Sequence, residues 1–243
     1  MVDATAIFLR AQQAWVARAV PPYESFHIAC EQTFLADKCG AGEVVAFTVR
    51  MRDGRSFAQT LPSDGAAPRV LLRGAFISGP AGTPLGFYRV LPNGASPLPS
   101  PPPNLAPDPL QTITTVTANS HVYEIHLLGE ESIGNRRCYH LALHPRIDPD
   151  RYPLRELWVE EATFEIVQLL YERPYDERQT RAFVRYRFAP VGVAHVWSIV
   201  HIDAEATTHG FLSSKTERVT DDLSDITFPA SVPDWYFEPE PGG

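Results

Sequence analysis

Cysteine is scarce in this sequence, and its spacing excludes two common kinds of site. The chain has 243 residues and three cysteines, Cys30, Cys39 and Cys138, and no C-x-x-C pair occurs. A zinc ribbon and a thioredoxin-type redox motif are therefore excluded. Cys30 and Cys39 flank a predicted turn, which leaves two interpretations open: a disulfide formed in an oxidising compartment, or three buried thiols.

Positive charge and long apolar runs are scarce too. The chain has 21 Lys and Arg against 29 Asp and Glu, a net charge of −8. Such a balance disfavours nucleic acid and anionic membrane surfaces as partners. No apolar run approaches the roughly 20 residues that span a bilayer, so no transmembrane segment is expected. The arginines 181, 185 and 187 form a local basic stripe, which we interpret as the solvated face of a strand.

Sequence motifs for catalysis are missing. The chain has no G-x-S-x-G elbow, no phosphate-binding G-x-x-x-x-G-K-[ST] loop, no G-x-G-x-x-G and no H-E-x-x-H. Its acidic pairs, Asp148 with Asp150, Glu160-Glu161 and Asp221-Asp222, fall at predicted turns or strand edges, where solvated carboxylates are common. We therefore expect neither enzymatic activity nor a cofactor.

The histidines do not form a metal motif by spacing. His140 and His144 share a predicted strand face, and His195 and His201 share another. Four residues along a strand span about 13 Å, which is too far for two ligands of one metal ion. A site would need histidines from neighbouring strands in register, such as His126 beside the first pair. We favour solvated histidines and predict no metal.

One helix is predicted, over residues 4–19. Phe8 and Trp15 belong to an apolar stripe at helical spacing. Asp3 is placed to cap the first turn, and Pro21-Pro22 ends the helix.

Beyond the helix, apolar residues alternate with polar ones, which is typical of strands with one wet face. Residues 43–52 are predicted to pair with 55–60 through an Asp53-Gly54 hairpin turn. The other predicted strands cover 69–76, 123–127, 139–143, 157–159, 164–171, 182–188, 193–203 and 207–219. Short connections between them favour an antiparallel meander.

Residues 78–109 are rich in glycine and proline and include Pro101-Pro102-Pro103. Such a segment is neither a helix interior nor a central strand, so we expect a long loop or strap. The predicted fold is therefore mainly β: a strongly curved antiparallel sheet whose apolar concave face is covered by the N-terminal helix. We expect the 243 residues to form a single domain.

A family resemblance appears over about 40 residues, from 133 to 172. The segments GNRRCYHLALHP at 134–145 and RELWVEEATFEI at 155–166 resemble successive strands of the outer-membrane lipoprotein carrier superfamily, the LolA/LolB-like proteins and their sensor relatives. The resemblance implies an incomplete β-barrel with an apolar cavity for acyl chains and an extracytoplasmic location. The family has helical lid segments mid-chain, where this sequence has residues 78–109.

These observations favour a non-enzymatic carrier or binder of a hydrophobic ligand, such as a lipid or a lipoprotein acyl chain, in the periplasm or cell envelope. We expect its signal segment to be missing from this sequence. The side chains expected to line the ligand site are Phe8, Trp15, Phe47, Val49, Tyr123, Ile125, Leu141, Leu143, Leu157, Val159, Val184, Tyr186 and Trp197.

Two other functions are compatible with the sequence. The first is an envelope structural or sensor module with a filled core that acts through a protein partner. The second, ranked last, is a hydrolase with residues drawn from distant segments, which predicts a Ser, Cys or His with a strongly shifted pKa in a cleft.

Overall fold

The computed structural model describes residues 3–33, 35–76, 122–147, 149, 152, 154–174, 181–209 and 214–238. This part of the chain contains one α-helix, α1, at Ala4–Ala17, and twelve strands. The strands are β1 Tyr23–Ala29, β2 Val44–Arg50, β3 Arg55–Leu61, β4 Val70–Phe76, β5 Tyr123–Ile133, β6 Arg136–Pro145, β7 Leu154–Glu160, β8 Ile166–Pro174, β9 Arg181–Val191, β10 Val196–His209, β11 Ser214–Asp222 and β12 Ser224–Thr227. The expected loop at 78–109 lies outside the described residues.

The strands form two antiparallel sheets, and neither closes into a barrel. One has the order β12-β1-β2-β3-β4 and the other β11-β10-β9-β8-β7-β6-β5. The prediction of a mainly β, antiparallel fold with an N-terminal helix is confirmed. The division into two sheets was not predicted.

Helix α1 begins and ends close to where the sequence places it. The carboxylate of Asp3 accepts a hydrogen bond from the backbone N–H of Thr5 at 3.0 Å, which caps the first turn. The helix ends at Ala17, two residues before the predicted end, because Arg18 has an extended backbone. In the described part of the chain no helix has the length and hydropathy of a membrane span.

The chain divides into two compact units. The first contains α1, β5 to β8, β9 up to Ala189, β10 from Ile202 onward and β11 up to Val219. Here α1 packs on β5, β6 and β8. Its residues Ile7, Phe8 and Ala11 are buried in that contact. The prediction of one domain over the whole chain stays a prediction.

The second unit contains β1 to β4, β12 and the remaining parts of β9, β10 and β11. Its apolar face includes a row in which Phe26 pairs with Phe47, and Phe47 with Ala58. The Phe26 and Phe47 rings stack with their centroids 5.4 Å apart. The hairpin predicted at Asp53-Gly54 is present between β2 and β3, with a φ of 69° at Gly54.

The structure corrects several strand predictions. Strands β1 and β12 were not predicted. The prediction of one strand over 207–219 is wrong, because residues 207–209 end β10 and residues 214–219 begin β11. Gly210 interrupts this run, and a glycine inside a strand pattern is a turn signal that the prediction did not use. The strand predicted from residue 193 starts at Val196, after a turn in which His195 has a φ of 50°.

A buried carboxyl interrupts the apolar face of the second unit. Glu24 on β1 is 6% exposed and pairs with Val49, in phase with Phe26. Its carboxylate accepts a hydrogen bond from the hydroxyl of Ser198 on β10. Burial raises the pKa of Glu24 to about 7, although the Ser198 hydroxyl opposes the rise.

Asp221 on β11 is a second buried carboxyl in this unit. The sequence places it at a solvated turn or strand edge, but it is 2% exposed. One of its oxygens, Oδ1, has no hydrogen-bond partner in the described part of the chain. Burial, and then the charge of Asp222, raise the pKa of Asp221 to about 7. The expectation of a solvated acid at this position is therefore wrong.

The C-terminal segment, residues 234–238, packs on the other face of β3 and β4. The ring of Phe57 stacks on Tyr236 with centroids 3.9 Å apart. The backbone carbonyls of Trp235 and Phe237 accept hydrogen bonds from Arg73 and Arg55. Gly74 allows this contact, because a Cβ there would lie 2.8 Å from the backbone of Glu238.

We expect Gly74→Ala to destabilise the protein by about 2–4 kcal/mol, because it adds a backbone clash to the strain of a φ of 62°. Gly65→Ala is the matched control, since Gly65 has a φ of 78° and a Cβ added there would meet nothing within 4 Å. Its cost should be only about 1 kcal/mol. Urea unfolding midpoints measure both, and equal losses would show that the close approach at Gly74 is unimportant.

A second prediction concerns pH. Folded protein retains protons on Glu24 and Asp221 that the unfolded chain releases near its ordinary carboxyl pKa. The free energy of unfolding should therefore fall by about 1–3 kcal/mol per group as the pH rises from about 4.5 to about 7, and change little above. Glu24→Gln should remove its share of this slope and raise stability at pH 8. Glu31→Gln, at an exposed position, should keep the wild-type slope; if Glu24→Gln keeps it too, the pKa of Glu24 is ordinary.

Candidate functional site

The apolar face of the first unit is continuous across four strands. Leu141 on β6 pairs with Leu157 on β7, Leu157 pairs with Leu169 on β8, and Leu169 pairs with Tyr186 on β9. All four residues are no more than 1% exposed. The period-two alternation in the sequence places them together, since a shift of one residue would turn a whole strand to the other face.

Helix α1 covers part of this face. Phe8 is buried, and the Trp15 ring meets the Phe188 ring edge to face, with centroids 5.2 Å apart. Both residues belong to the first unit, so the helix and the end of β9 are joined by an aromatic contact.

Arg18 fastens the C-terminal end of the helix. Its Nε donates to the carboxylate of Glu165 at 2.8 Å, and its Nη2 donates to the backbone carbonyl of Ile166 at 2.7 Å. Its guanidinium also lies 4.0 Å from the centroid of the Trp15 ring. Burial lowers the pKa of Arg18 to about 10, with Glu165 opposing, so the ion pair persists at neutral pH. We refer to the pair of Arg18 and Glu165 as the latch.

The thirteen residues expected to line a ligand site are divided between the two units. Ten lie in the first unit, whereas Phe47, Val49 and Trp197 lie in the second. Whether they line one ligand site stays a prediction. The residues among them that are buried are Phe8, Phe47, Val49, Tyr123, Leu141, Leu143, Leu157, Val159, Val184 and Tyr186, and those that are half-buried are Trp15, Ile125 and Trp197.

Complete burial has a consequence for ligand binding. Leu141, Leu157 and Val159 are 0% exposed, so protein atoms surround them on all sides. A ligand that reaches this part of the face must first displace side chains that now cover it. Within the described part of the first unit, helix α1 packs on the sheet without belonging to a strand pairing, so its removal would expose apolar surface and leave the strands paired.

The cysteines and the histidines that the structure describes show neither a catalytic nor a metal arrangement. Burial, and then the charge of Glu160, raise the pKa of Cys138 to about 11, which is opposite to the shift that a nucleophilic thiol needs. His140 lies between the carboxylates of Glu131 and Glu156. Among the described residues no group of three or more potential ligands is placed to hold a metal ion. Cys30 and Cys39 form a disulfide.

A surface cavity of about 370 Å³ lies on the opposite, polar face of the first unit's sheet. Sequence reasoning missed it, apart from placing Arg185 in the basic stripe. The described residues that line it are Leu170, Phe183, Arg185, Asp203, Glu205 and Arg218. They come from four neighbouring strands, β8 to β11, so only the register of those strands brings them together.

Comparison with known proteins gives a weak and consistent result. No family model and no curated protein match the chain. A LolA superfamily protein from Nitrosomonas europaea is 15% identical, with 98% of each chain covered and a TM-score of 0.34. A DUF1329 family protein from Desulfovibrio piger is 14% identical, with 98% of each chain covered and a TM-score of 0.40. A domain assigned to outer-membrane lipoprotein sorting, from Vibrio parahaemolyticus, is 10% identical, with 96% of each chain covered and a TM-score of 0.37.

The first of these solved structures is named as a member of the superfamily that residues 133–172 resemble.

Proposed function

We propose that the protein is a non-enzymatic, extracytoplasmic carrier or binder of a hydrophobic ligand with an acyl chain. The observation that supports this most directly is a row of large, buried apolar side chains in the sheet on which helix α1 packs. Leu141, Leu157 and Leu169 pair with one another across three strands and form this row. An acyl chain gains about 0.8 kcal/mol for each methylene buried on such a surface.

The helix acts as the cover in this proposal. Binding of the acyl chain replaces the contacts that Phe8 and its neighbours on α1 make with the sheet. The net affinity is therefore the difference between the free energy gained by burying the acyl chain and the free energy lost with the helix contacts, and the two are similar in size. The latch then sets how often the cover opens, because it ties the end of the helix to Glu165 and to the backbone at Ile166.

We expect a fluorescent fatty acid to bind the protein with micromolar affinity. The double variant Arg18→Met with Glu165→Gln releases the latch without leaving a buried charge unpaired. If the latch contributes about 1–2 kcal/mol to closure, the association rate should rise about 5- to 30-fold. Stopped-flow fluorescence measures the rate.

Gln13→Ala is the control for this experiment, because Gln13 is exposed on the same helix. It should leave the association rate unchanged. A wild-type protein that binds no acyl probe would contradict the proposed carrier function. A double variant with the wild-type association rate would contradict the proposal that α1 acts as a cover.

The extracytoplasmic location is supported by the Cys30–Cys39 disulfide. Such bonds persist in oxidising compartments and are rare in the cytosol of mesophiles. The bridge closes a loop with a sequence separation of nine residues in the second unit, and the chain-entropy model gives loops of this size about 2–3 kcal/mol.

Thiol counting tests the location. Protein isolated from its native compartment and denatured without reductant should react with one equivalent of an alkylating reagent, at Cys138, and with three after reduction. Intact mass spectrometry reads both numbers. Three reactive thiols before reduction would contradict an oxidising compartment.

A second function is favoured by the complete burial of Leu141, Leu157 and Val159. A core filled by the protein's own side chains suits an envelope structural or sensor module that acts through a protein partner. The fluorescent probe separates the two functions, since a permanently filled core takes up no acyl chain in the wild type or in the latch variant.

A further inference from the structure

The surface cavity on the polar face of the first unit's sheet has a lining that stability does not explain. Arg185 and Asp203 approach to 3.4 Å, and Arg218 and Glu205 to 2.7 Å, across neighbouring strands. Arg218 is 75% exposed, and cross-strand ion pairs of such exposed groups contribute little to folding. The cavity therefore presents two cations and two anions that are not needed to hold the strands together.

Arg185 is the unusual member of this set. Its Nε is buried and has no hydrogen-bond partner among the residues that the structure describes, and its contact with Asp203 is long. A buried N–H without an acceptor costs folding free energy, so each such group in a folded protein calls for an explanation. The Nε–H and an Nη–H of one guanidinium form a fork that matches two oxygens of a carboxylate or a phosphate.

The carboxylates complement this fork. Asp203 and Glu205 are two residues apart on β10, so their Cα atoms are about 7 Å apart on the same face. Glu205 is paired with Arg218 at 2.7 Å, whereas the contact that Asp203 makes with a described cation is the long one with Arg185. An anion alone would replace Asp203 at Arg185 and leave that carboxylate uncompensated. A ligand that also carries a cation would compensate it.

The remaining lining is apolar. Leu170 is half-buried and Phe183 is 40% exposed, which is unusual for a phenylalanine inside a strand. They offer a small hydrocarbon contact beside the charges. The volume of about 370 Å³ suits a small molecule and not a long chain.

We propose that this cavity binds a small zwitterion, an acidic group joined by a short carbon chain to a primary ammonium. The acidic group binds the Arg185 fork, the ammonium binds Asp203, and the linker contacts Phe183. Both a lipid headgroup of the phosphoethanolamine class and a free amino acid have this chemistry. The site is separate from the proposed acyl site, because Phe183 and Arg185 alternate along β9 with the buried residues Val184 and Tyr186.

Isothermal titration with the full chain tests the proposal using four probes: glycerophosphoethanolamine, β-alanine, inorganic phosphate and ethanolamine. None of them has an acyl chain, so the outcome is independent of the proposed acyl binding. We expect one of the two zwitterions to bind at least tenfold more tightly than phosphate and ethanolamine, and the stronger zwitterion identifies the source of the ligand. The proposal would be overturned if inorganic phosphate bound as tightly as the zwitterions, or if none of the four probes bound.

Variants locate the site. Arg185→Lys keeps the charge and removes the fork, so it should weaken the zwitterion at least fivefold. Arg187→Lys is the matched control, since Arg187 is exposed on the same strand and does not line the cavity. It should bind the zwitterion as tightly as the wild type does. An equal loss of affinity in both variants would show that the interaction depends on net charge and not on Arg185, and would overturn the proposal.

Asp203→Asn tests whether Asp203 binds the ammonium group of the ligand. This variant also tests the proposal if Arg185→Lys does not fold. It should lower the affinity for the zwitterion at least fivefold and leave any weak binding of phosphate unchanged or stronger. An Asp203→Asn protein that binds the zwitterion as tightly as the wild type would show that Asp203 does not face an ammonium, and would overturn the assignment.

Discussion

An antiparallel sheet with one apolar face must bury that face, and most of the first unit follows from this requirement. Leu141, Leu157 and Leu169 align because β6, β7 and β8 pair in register. Water on such a row would cost roughly 25 cal/mol for each Å² of apolar surface exposed. The helix is therefore held against the sheet by the burial of its apolar side chains, and the latch of Arg18 and Glu165 attaches its C-terminal end to the first unit.

The same requirement is met differently in the second unit. Glu24 stands in phase with Phe26 and Ile28 on β1, so its carboxyl enters the apolar face. The hydroxyl of Ser198 supplies a hydrogen bond, and burial favours the neutral acid. Arg185 represents the opposite solution in the first unit, because it alternates with Val184 and stays on the polar face. An ionisable residue is thus tolerated on either face of a strand. On the apolar face burial favours its neutral form, and on the polar face it remains an ion.

Sequence reasoning predicted the elements with strong periodicity and failed where the pattern is broken or continuous. The helix, the Asp53-Gly54 hairpin and the inward residues Val184 and Tyr186 follow from period and turn chemistry alone. Strand β1 was missed although its apolar residues alternate, because Glu24 occupies an inward position. The surface cavity could not be predicted, since it depends on the register of β9, β10 and β11, which no local pattern specifies.

Complete burial of the apolar row suits both a carrier with a closed cover and a module with a filled core. In the proposed carrier, helix closure and acyl binding use the same apolar face, so each must weaken the other by the same free energy. A cover that is held too tightly abolishes binding, and one held too weakly exposes the row to water. Besides the ion pair of the latch, Arg18 donates a hydrogen bond to the backbone carbonyl of Ile166 and contacts the Trp15 ring. In the proposed carrier these contacts must break before the helix opens, and this makes the C-terminal end of α1 the place where carrier and filled module differ physically.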